Sequence, residues 1–589
     1  MSSATPIDST LPANVEEAAP VSKRRWFALV AVSLGVASTI LNATVSNVAI
    51  PSIAADIGLT TADATWVNAA YALTFASLLL LSGRVADLVG RRRMFITGVI
   101  IFSSASVLIA LSSSVGALVG ARVVQGVGAA MIFPASLSLL NAVFRGRDRA
   151  IAFAVWGSII GGVSAMGPLI GGWIIQSASW EWAFLINVPI GILTLFMALR
   201  FVPDSRDTSG ERGLDIVGAL LATSGVALLV FGIIEGQAYG WLQAKKQFTL
   251  AGINWPFEAV SPSAAALAAS AGLIVSFIVL ERRRAAAHKA VLLDLSLFDV
   301  LSFRYGSLVG LIVSLGEFGL LFALPLFLQS VYGYSALGTG FVLVSLAIGA
   351  FVASGLSAPL SQRIGPVIVL RIGMVFEVVG IIGLGFALTP TGSGWQLVPW
   401  LLLYGIGVGF ATSQLAGISL SQVPVEQSGQ ASGAQSTARQ MGAAIGTAVL
   451  GATLLAGLGA TTGALTDRGV DPVVAASVTE QLRSTAGTAV PRLAAQPDGA
   501  TLVEGASVGF ASAVQMASFV AAGAVAVGLF ATFLLPTSIN TNARRRRPED
   551  EPTDGDQGPD DQDPLDDLGP DAVEDATPAL ATTTTTTTD

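Results

Sequence analysis

The chain has 589 residues, of which 52% are hydrophobic and only 12% are charged, and its mean hydropathy is +0.70. This composition is more apolar than that of soluble globular proteins and indicates a protein that crosses the bilayer many times. The sequence has no cysteine, which excludes disulfides, thiolate catalysis and cysteine metal sites, and the net charge of −8 comes from an acidic tail after Pro548 rather than from a surface suited to nucleic acid.

Fourteen apolar runs follow one another along the chain, each close to the roughly twenty residues that a membrane-spanning helix needs. They begin near positions 26, 62, 93, 115, 150, 182, 214, 263, 304, 336, 367, 396, 433 and 508. Lysine and arginine fall in alternate connections, including the connection that contains Arg439. Because positively charged loops face the cytoplasm, this pattern predicts an even number of spans with both termini cytoplasmic.

A charged turn, GRVADLVGRRR at residues 83–93, separates the second and third runs. Gly83 lets two helices approach closely, and Asp87 places a carboxylate where it can meet Arg91 or the N-terminus of a neighbouring helix. With Gly90, these residues are predicted to form a conformational latch, the alternative being an ordinary basic loop that only sets topology. A weak repeat, SAPLSQRIGP, places Gly365 opposite Gly90 without an acid at the position of Asp87.

The fourth and fifth runs carry two further signals. Arg122 lies inside the fourth run, where an arginine is costly unless it meets a partner or snorkels to the interface. In the fifth run, glycines recur at three- and four-residue spacing, which predicts a flat packing face, and a proline interrupts the helix hydrogen bonding. The residues of this glycine-proline pattern are Gly167, Pro168, Gly171 and Gly172.

Taken in this order, the charged turn and the glycine-proline span resemble the signatures of the major facilitator superfamily and of its antiporters. Further matches, TVSNVAIP, WAFLINVPIG, LDIVGA and LPLFLQSVYGYSALGTG, make residues 25–540 similar to the fourteen-span drug:proton antiporters, the EmrB/QacA-like group. The resemblance implies an all-α polytopic fold with two six-helix bundles and two additional helices. It also implies alternating access, proton-coupled export of lipophilic or cationic drugs, a monomer in a bacterial plasma membrane, and no cofactor or metal.

On this basis the chain is expected to divide into five parts. These are a disordered cytoplasmic N-terminus at 1–25, a six-helix bundle at 26–202, two additional helices and a cytoplasmic linker at 203–290, a second six-helix bundle at 291–540, and a disordered acidic cytoplasmic tail at 541–589. Within the second bundle, the outer loop at 458–507 is predicted to be a mobile connector with a short amphipathic helix near Pro472.

The chain departs from the resemblance in its coupling residues. Asn42 stands where the group usually has aspartate in the first span, and Glu181 stands between two tryptophans that usually flank arginine. Since asparagine cannot carry a proton, Glu317 in the ninth span, which by resemblance lines the central cavity, is the candidate carrier, with Arg122 as a coupling partner. The alternative is that Glu317 is a permanently neutral, hydrogen-bonded packing residue.

Two other acids are assigned lesser roles. Glu377 in the eleventh span is expected to be a packing or lipid-facing residue, and Glu235 is expected at the outer interface. The predicted substrate cavity contains Asn42, Gln125, Phe318 and Gln414.

The sequence therefore predicts a secondary active transporter that exports lipophilic small molecules, and not an enzyme. It has no phosphate-binding loop of the GxxxxGK(S/T) kind, which argues against direct ATP hydrolysis. Two alternatives remain: a dedicated exporter of an endogenous metabolite or antibiotic with different ion coupling, and a membrane receptor or sensor on a transporter fold.

Overall fold

The computed structural model describes residues 24–59, 61–204, 213–250, 253–257, 259–485 and 487–536, and nearly all of this part of the chain is helical. The predicted disordered termini, except residues 24 and 25, lie outside the described residues. The α-helices are α1 (Arg24–Ile57), α2 (Thr61–Val89), α3 (Arg91–Ala110), α4 (Val115–Val143), α5 (Gly146–Ser177), α6 (Trp182–Leu185), α7 (Asn187–Phe201), α8 (Ile216–Tyr239), α9 (Pro262–Ala286), α10 (Leu301–Ser330), α11 (Ala336–Ile364), α12 (Pro366–Ala387), α13 (Gly394–Ser419), α14 (Ser428–Gly457), α15 (Ala460–Thr466), α16 (Pro472–Ser484), α17 (Val490–Leu493) and α18 (Gly499–Ala531). A short antiparallel hairpin, β1 (Thr249–Leu250) with β2 (Ile253–Asn254), joins α8 to α9.

Twelve helical stretches among the described residues are long and apolar enough to cross a membrane. Helices α5 and α10, with 32 and 30 residues, are not among those twelve but exceed the length that a span needs. The all-α membrane fold predicted from the sequence is confirmed. The predicted runs also match the helices in order, although α14 and α18 begin at Ser428 and Gly499 rather than near 433 and 508.

Local sequence signals explain where several helices begin. The side chains of Asp215, Ser261 and Ser335 accept hydrogen bonds from the first free backbone amides of α8, α9 and α11. Gly90 between α2 and α3 has φ of 113°, and Gly365 between α11 and α12 has φ of 88°. Only glycine adopts such values without strain, so the weak sequence repeat corresponds to two equivalent sharp turns.

The main apolar cores follow the two halves of the chain. One core is formed within α10–α18 and includes Leu370, Leu401 and Phe510. A second core draws mainly on α1–α5, with Phe95 and Trp156 among its buried side chains. Each half therefore has its own apolar interior, as two bundles that move relative to one another require.

Helices α8 and α9 pack on one another and reach both halves through α8, which contacts α2 and α14. The Ser270 hydroxyl donates to the Gly225 carbonyl at 2.7 Å, and the Gln237 amide donates to the Ala448 carbonyl of α14 at 2.9 Å. These bonds satisfy polar groups that lipid could not satisfy. The additional pair is thus attached to both bundles.

Residues 290–294, called here the linker strap, join α9 to the second half. Glu281 of α9 accepts the backbone amides of Leu292 and Leu293, at 3.1 and 3.4 Å. The Asp294 amide donates to the Gln430 side chain at 2.9 Å, and the Gln427 amide donates to the Asp294 carboxylate at 3.0 Å. The strap therefore connects the C-terminal end of α9 directly to the start of α14.

The long outer loop is folded in its described residues, so the prediction of a mobile connector is wrong. Helices α15, α16 and α17 pack against α18, and α16 covers the predicted amphipathic segment. Val478, Leu482 and Leu493 are almost fully buried and belong to the same core as Phe510. The loop is ordered because the apolar face of α16 continues the core of the second half, a contact that loop composition does not reveal.

Replacing Leu482 with aspartate is expected to unfold this outer cap, because an unpaired charge would enter a site that is 0% exposed. Limited trypsin digestion of the purified protein measures the effect at Arg483 and Arg492. We expect cleavage at least tenfold faster than in the parent protein. Val473→Asp on the same helix is the control, since Val473 is 78% exposed. Equal cleavage of the parent and Leu482→Asp would contradict an ordered cap.

Candidate functional site

The charged turn joins the two halves at the inner end of the bundle, defined here as the end at which α1 begins. Asp87, 0% exposed at the end of α2, accepts the backbone amides of Gly429 and Gln430 at 3.0 and 2.9 Å. These amides open α14, so the carboxylate binds a helix N-terminus, where negative charge is favoured. Arg91 donates to the same carboxylate at 3.0 Å and also to the Val425 carbonyl.

The glycines of this predicted latch permit the approach. A Cβ atom at Gly83 would collide with the Gly429 carbonyl oxygen, and a Cβ atom at Gly429 would collide with the Asp87 carboxylate. Gly90, with its positive φ, makes the sharp turn between α2 and α3. This turn lets Arg91 reach back to Asp87, four residues earlier in the chain. The structure therefore brings together Gly83, Asp87, Gly90 and Arg91, the four residues selected from the sequence.

Two more contacts close the inner end. The Asn141 amide of α4 donates to the Ser428 hydroxyl at 2.6 Å, and Arg149 of α5 donates to the Leu420 carbonyl at 2.6 Å. Both bonds cross from the first half to the second. In this conformation the halves are thus held together by polar contacts from α2, α4 and α5.

Arg122 lies in a buried polar network in the first half. Its guanidinium donates to the Val67 carbonyl at 3.0 Å, the Gln125 side chain at 2.7 Å and the Asn68 side chain at 3.3 Å. Its Cζ atom also lies 4.6 Å from the centre of the Tyr71 ring, a cation–π distance. Arg122 is only 1% exposed, so it is held by partners and does not snorkel to the interface.

Asn42 and Gln125 belong to the same network. Their side-chain amides exchange two hydrogen bonds, at 3.1 and 3.0 Å, and the Gln125 amide also donates to the Ser106 hydroxyl at 2.8 Å. The Arg122 partners that the structure describes are all neutral. The position of the usual acid is therefore occupied by an amide that is satisfied by another amide.

The glycine-proline span packs α5 onto α1 and the second half. Cβ atoms at Gly167 and Gly171 would meet Thr44 and Val45 of α1. A Cβ atom at Gly157 would meet the backbone at Ser413 of α13. Gly172 is buried on α5, and the side chain of Pro168 lies outside the described residues. The span thus forms the predicted small-residue packing face.

The second half contains an ion pair that sequence reasoning missed. Arg439 was expected in a connecting loop, but it lies well inside α14, where its guanidinium is 4.0 Å from the Glu317 carboxylate of α10 and donates to the Ser314 hydroxyl at 3.3 Å. The apolar run predicted from near 433 already contained Arg439, but the positive charge was attributed to a connecting loop. Helix α14 begins at Ser428 and places Arg439 about three turns inside the helix.

Glu377 is 0% exposed on α12, which corrects the expectation of a lipid-facing residue and leaves the packing interpretation. Its backbone and Cγ lie so close to Gly407 that a Cβ atom there would collide with them. Glu235 is also buried among protein side chains, at 2% exposed, and lies four residues before the end of α8. The two interpretations of Glu377 could not be separated on sequence alone because apolar sequence around an acid does not distinguish a face toward lipid from a face toward another helix.

Gln414 and Phe318 are the remaining predicted cavity residues. Gln414 of α13 is 4% exposed, and its amide nitrogen has no described hydrogen-bond partner. It belongs to the second half, whereas the bonded pair Asn42 and Gln125 belongs to the first. The side chain of Phe318 lies outside the described residues.

A shallow cavity of about 230 Å³ opens near the outer ends of α1 and α5, lined by Ser52, Asp56, Ile175, Ser179, Trp180 and Glu181. The Trp180 indole donates to the Asp56 carboxylate at 3.0 Å. Glu181, which stands between two tryptophans, is therefore the second acid beside Asp56 in the lining of this cavity.

Comparison with known proteins identifies the fold and its relatives. The model of the Major Facilitator Superfamily matches residues 32–447. The tetracenomycin C resistance and export protein of Streptomyces glaucescens is 30% identical over 70% of this chain and 72% of its own length. The puromycin resistance protein of Streptomyces alboniger is 32% identical over 69% and 78%, and the multidrug resistance protein Stp of Mycobacterium tuberculosis is 30% identical over 70% and 73%. Among solved structures, the human organic anion transporter MFSD10 covers 86% of this chain and 99% of its own, with a TM-score of 0.53 at 15% identity.

Proposed function

This chain belongs to the major facilitator superfamily of membrane transporters, and from that premise we propose that it exports lipophilic antibiotic-like compounds from a bacterial cell by proton antiport. Support for the substrate class comes from relatives that are named for tetracenomycin C, puromycin and multidrug resistance. Each of these relatives is matched over more than two thirds of its length, so the likeness extends over most of the transport unit.

The proposed architecture has fourteen spans: the twelve apolar stretches together with α5 and α10. Its two bundles would rock about a site near the membrane centre, with both termini in the cytoplasm. The observation that carries this mechanism is the bond between Asp87 and the amides of Gly429 and Gln430. Because this bond joins different halves, it must break whenever the inner end opens.

Proton coupling is assigned to the second half. Asn42 cannot titrate, whereas Glu317 near the middle of α10 is a buried carboxyl group that faces a single arginine. Protonation of Glu317 would remove its attraction for Arg439 and bias the packing of α10 against α14. Arg122 then organises the first half, and Asn42, Gln125 and Gln414 offer amides to a substrate when the halves separate.

Transport in inverted membrane vesicles tests the proposal. With the vesicle lumen more acidic than the medium, so that protons leave as the compound enters, we expect puromycin and tetracenomycin C to accumulate at least fivefold above vesicles without the protein, and a protonophore to abolish the difference. Transport of several unrelated antibiotics would favour a broad drug exporter, and transport of one would favour a dedicated exporter. Accumulation that is insensitive to the protonophore would contradict proton antiport.

A further inference from the structure

Four helices of the second half bring ionisable side chains toward one buried region. Glu317 on α10, Glu377 on α12, Tyr404 on α13 and Arg439 on α14 each occupy the interior, and the first three are 6%, 0% and 1% exposed. Arg439 and Glu317 interact electrostatically with Glu377. Both carboxylates also act on the Tyr404 hydroxyl. Ionisable side chains are costly in a membrane interior, so a cluster of four marks a candidate functional site.

The packing of α12 holds Glu377 in this region. Gly373 and Gly380 lie one turn before and after it on the same helix face, and added Cβ atoms at these positions would collide with Phe410 and Tyr404 of α13. At Gly407 a Cβ atom would collide with Glu377 itself. Glycines thus let α12 and α13 close around the glutamate, which fixes it against a helix rather than against lipid.

Hydrogen bonding does not satisfy the two acids. Neither carboxylate oxygen of Glu377 has a partner among the described residues, and one oxygen of Glu317 is also without a described partner. On α18, which packs against α10 and α12, the side chain facing Gly316 is the apolar Val525. Arg439 is therefore the one cation that the described structure offers to two buried carboxyl groups.

One cation neutralises one carboxylate, so the second acid is stable in a region of low polarity when it holds a proton. We infer that Glu317 and Glu377 form a two-carboxylate proton site in which Arg439 pairs with whichever glutamate is deprotonated. This inference deepens the proposed proton antiport and rests on it. A proton arriving from outside forms an O–H bond on Glu317, so that both glutamates are neutral and Arg439 is released. Glu377 then loses its own proton to the inside and pairs with Arg439. Transfer of the proton from Glu317 to Glu377 restores the original pairing, so one proton enters and one leaves.

Infrared spectroscopy of the purified protein in lipid vesicles tests the site without a substrate. The carbonyl band of protonated carboxyl groups is followed during a pH titration for the parent protein, Glu317→Gln and Glu377→Gln. Interacting acids titrate as a pair, so each variant should lose one transition and shift the midpoint of the other by about one pH unit or more. Glu235→Gln is the matched control, a buried glutamate on α8 outside the cluster, and should shift neither. Removal of one glutamate without any shift in the other would overturn the inference.

Transport measurements distinguish this site from the proposed function. In vesicles with a proton gradient, both cluster variants should lose at least tenfold of puromycin accumulation, while exchange of labelled for unlabelled puromycin without a gradient remains. If Glu377→Gln keeps gradient-driven accumulation, Glu377 is not part of the proton site, although proton antiport itself would stand. If the parent protein fails to accumulate any compound, the antiport proposal fails while the infrared titration still decides whether the two acids interact.

Discussion

Asp87→Asn is expected to lower export by about 100-fold. Asparagine keeps the shape of the side chain but places an amide group where two backbone amides and Arg91 all require an acceptor. Removing one partner of a buried ion pair costs about 3–5 kcal/mol. This cost destabilises only the conformation in which the latch is closed. About 2.7 kcal/mol already shifts the equilibrium between the closed and open conformations 100-fold.

Spin labels measure this shift directly. Since the sequence has no cysteine, labels attach only to introduced cysteines at Val89 and Gln422, exposed residues at the inner ends of the two halves. In Asp87→Asn the short label-to-label distance should largely give way to a longer one. Arg93→Gln is the control, an exposed charge in the same turn. An unchanged distance distribution in Asp87→Asn would show that the carboxylate does not hold the halves together.

Arg122→Leu is expected to reduce export to background. Leucine fills part of the volume but removes the bonds to Val67, Asn68 and Gln125, and a hydrogen bond to a charged group contributes about 1.5–3 kcal/mol. Gln125 would keep its bonds to Asn42 and Ser106, but this amide pair would lose the guanidinium that joins it to Asn68 of α2. Loss of this one side chain therefore loosens α1, α2 and α4 together.

Arg122→Lys separates charge from geometry. Lysine keeps the cation but has no planar fork to reach Val67, Asn68 and Gln125 at once, so export should fall about tenfold rather than vanish. Puromycin accumulation is measured beside the melting temperature of the purified protein, which reports folding. Full activity in Arg122→Leu at an unchanged melting temperature would show that the network is dispensable.

The sequence predicts the helices well because a bilayer imposes a simple length and polarity rule. The apolar runs correspond to helices at nearly the expected positions. The sharp turn at Gly90 also has its counterpart at Gly365. The predictions that depend on contacts between helices are the ones that fail. The outer cap around Leu482 depends on tertiary packing, and the depth of Arg439 depends on where α14 begins. Hydropathy encodes neither.

The candidate site shows the same division. The residues of the charged turn could be selected from one stretch of sequence, yet their partners are backbone amides more than 340 positions away, and backbone groups leave no sequence signal. Glu317 was selected for its place in the ninth span, but its partner Arg439 was assigned to a connecting loop. The role of Glu377 became visible only when α12 was seen to pack on α13 through glycines.

The linker strap has a consequence for how the membrane itself acts on this protein. Through Glu281, Leu292 and Asp294, the inner end of the additional helices is bonded to Gln430, whose backbone amide also binds Asp87. Helices α8 and α9 expose wide apolar faces to the acyl chains. A bilayer that is thicker or thinner than their apolar length tilts such helices. Tilt of this pair would pull on the first turn of α14, so bilayer thickness should set how long the inner end stays shut, and acyl-chain length becomes a control on the turnover rate.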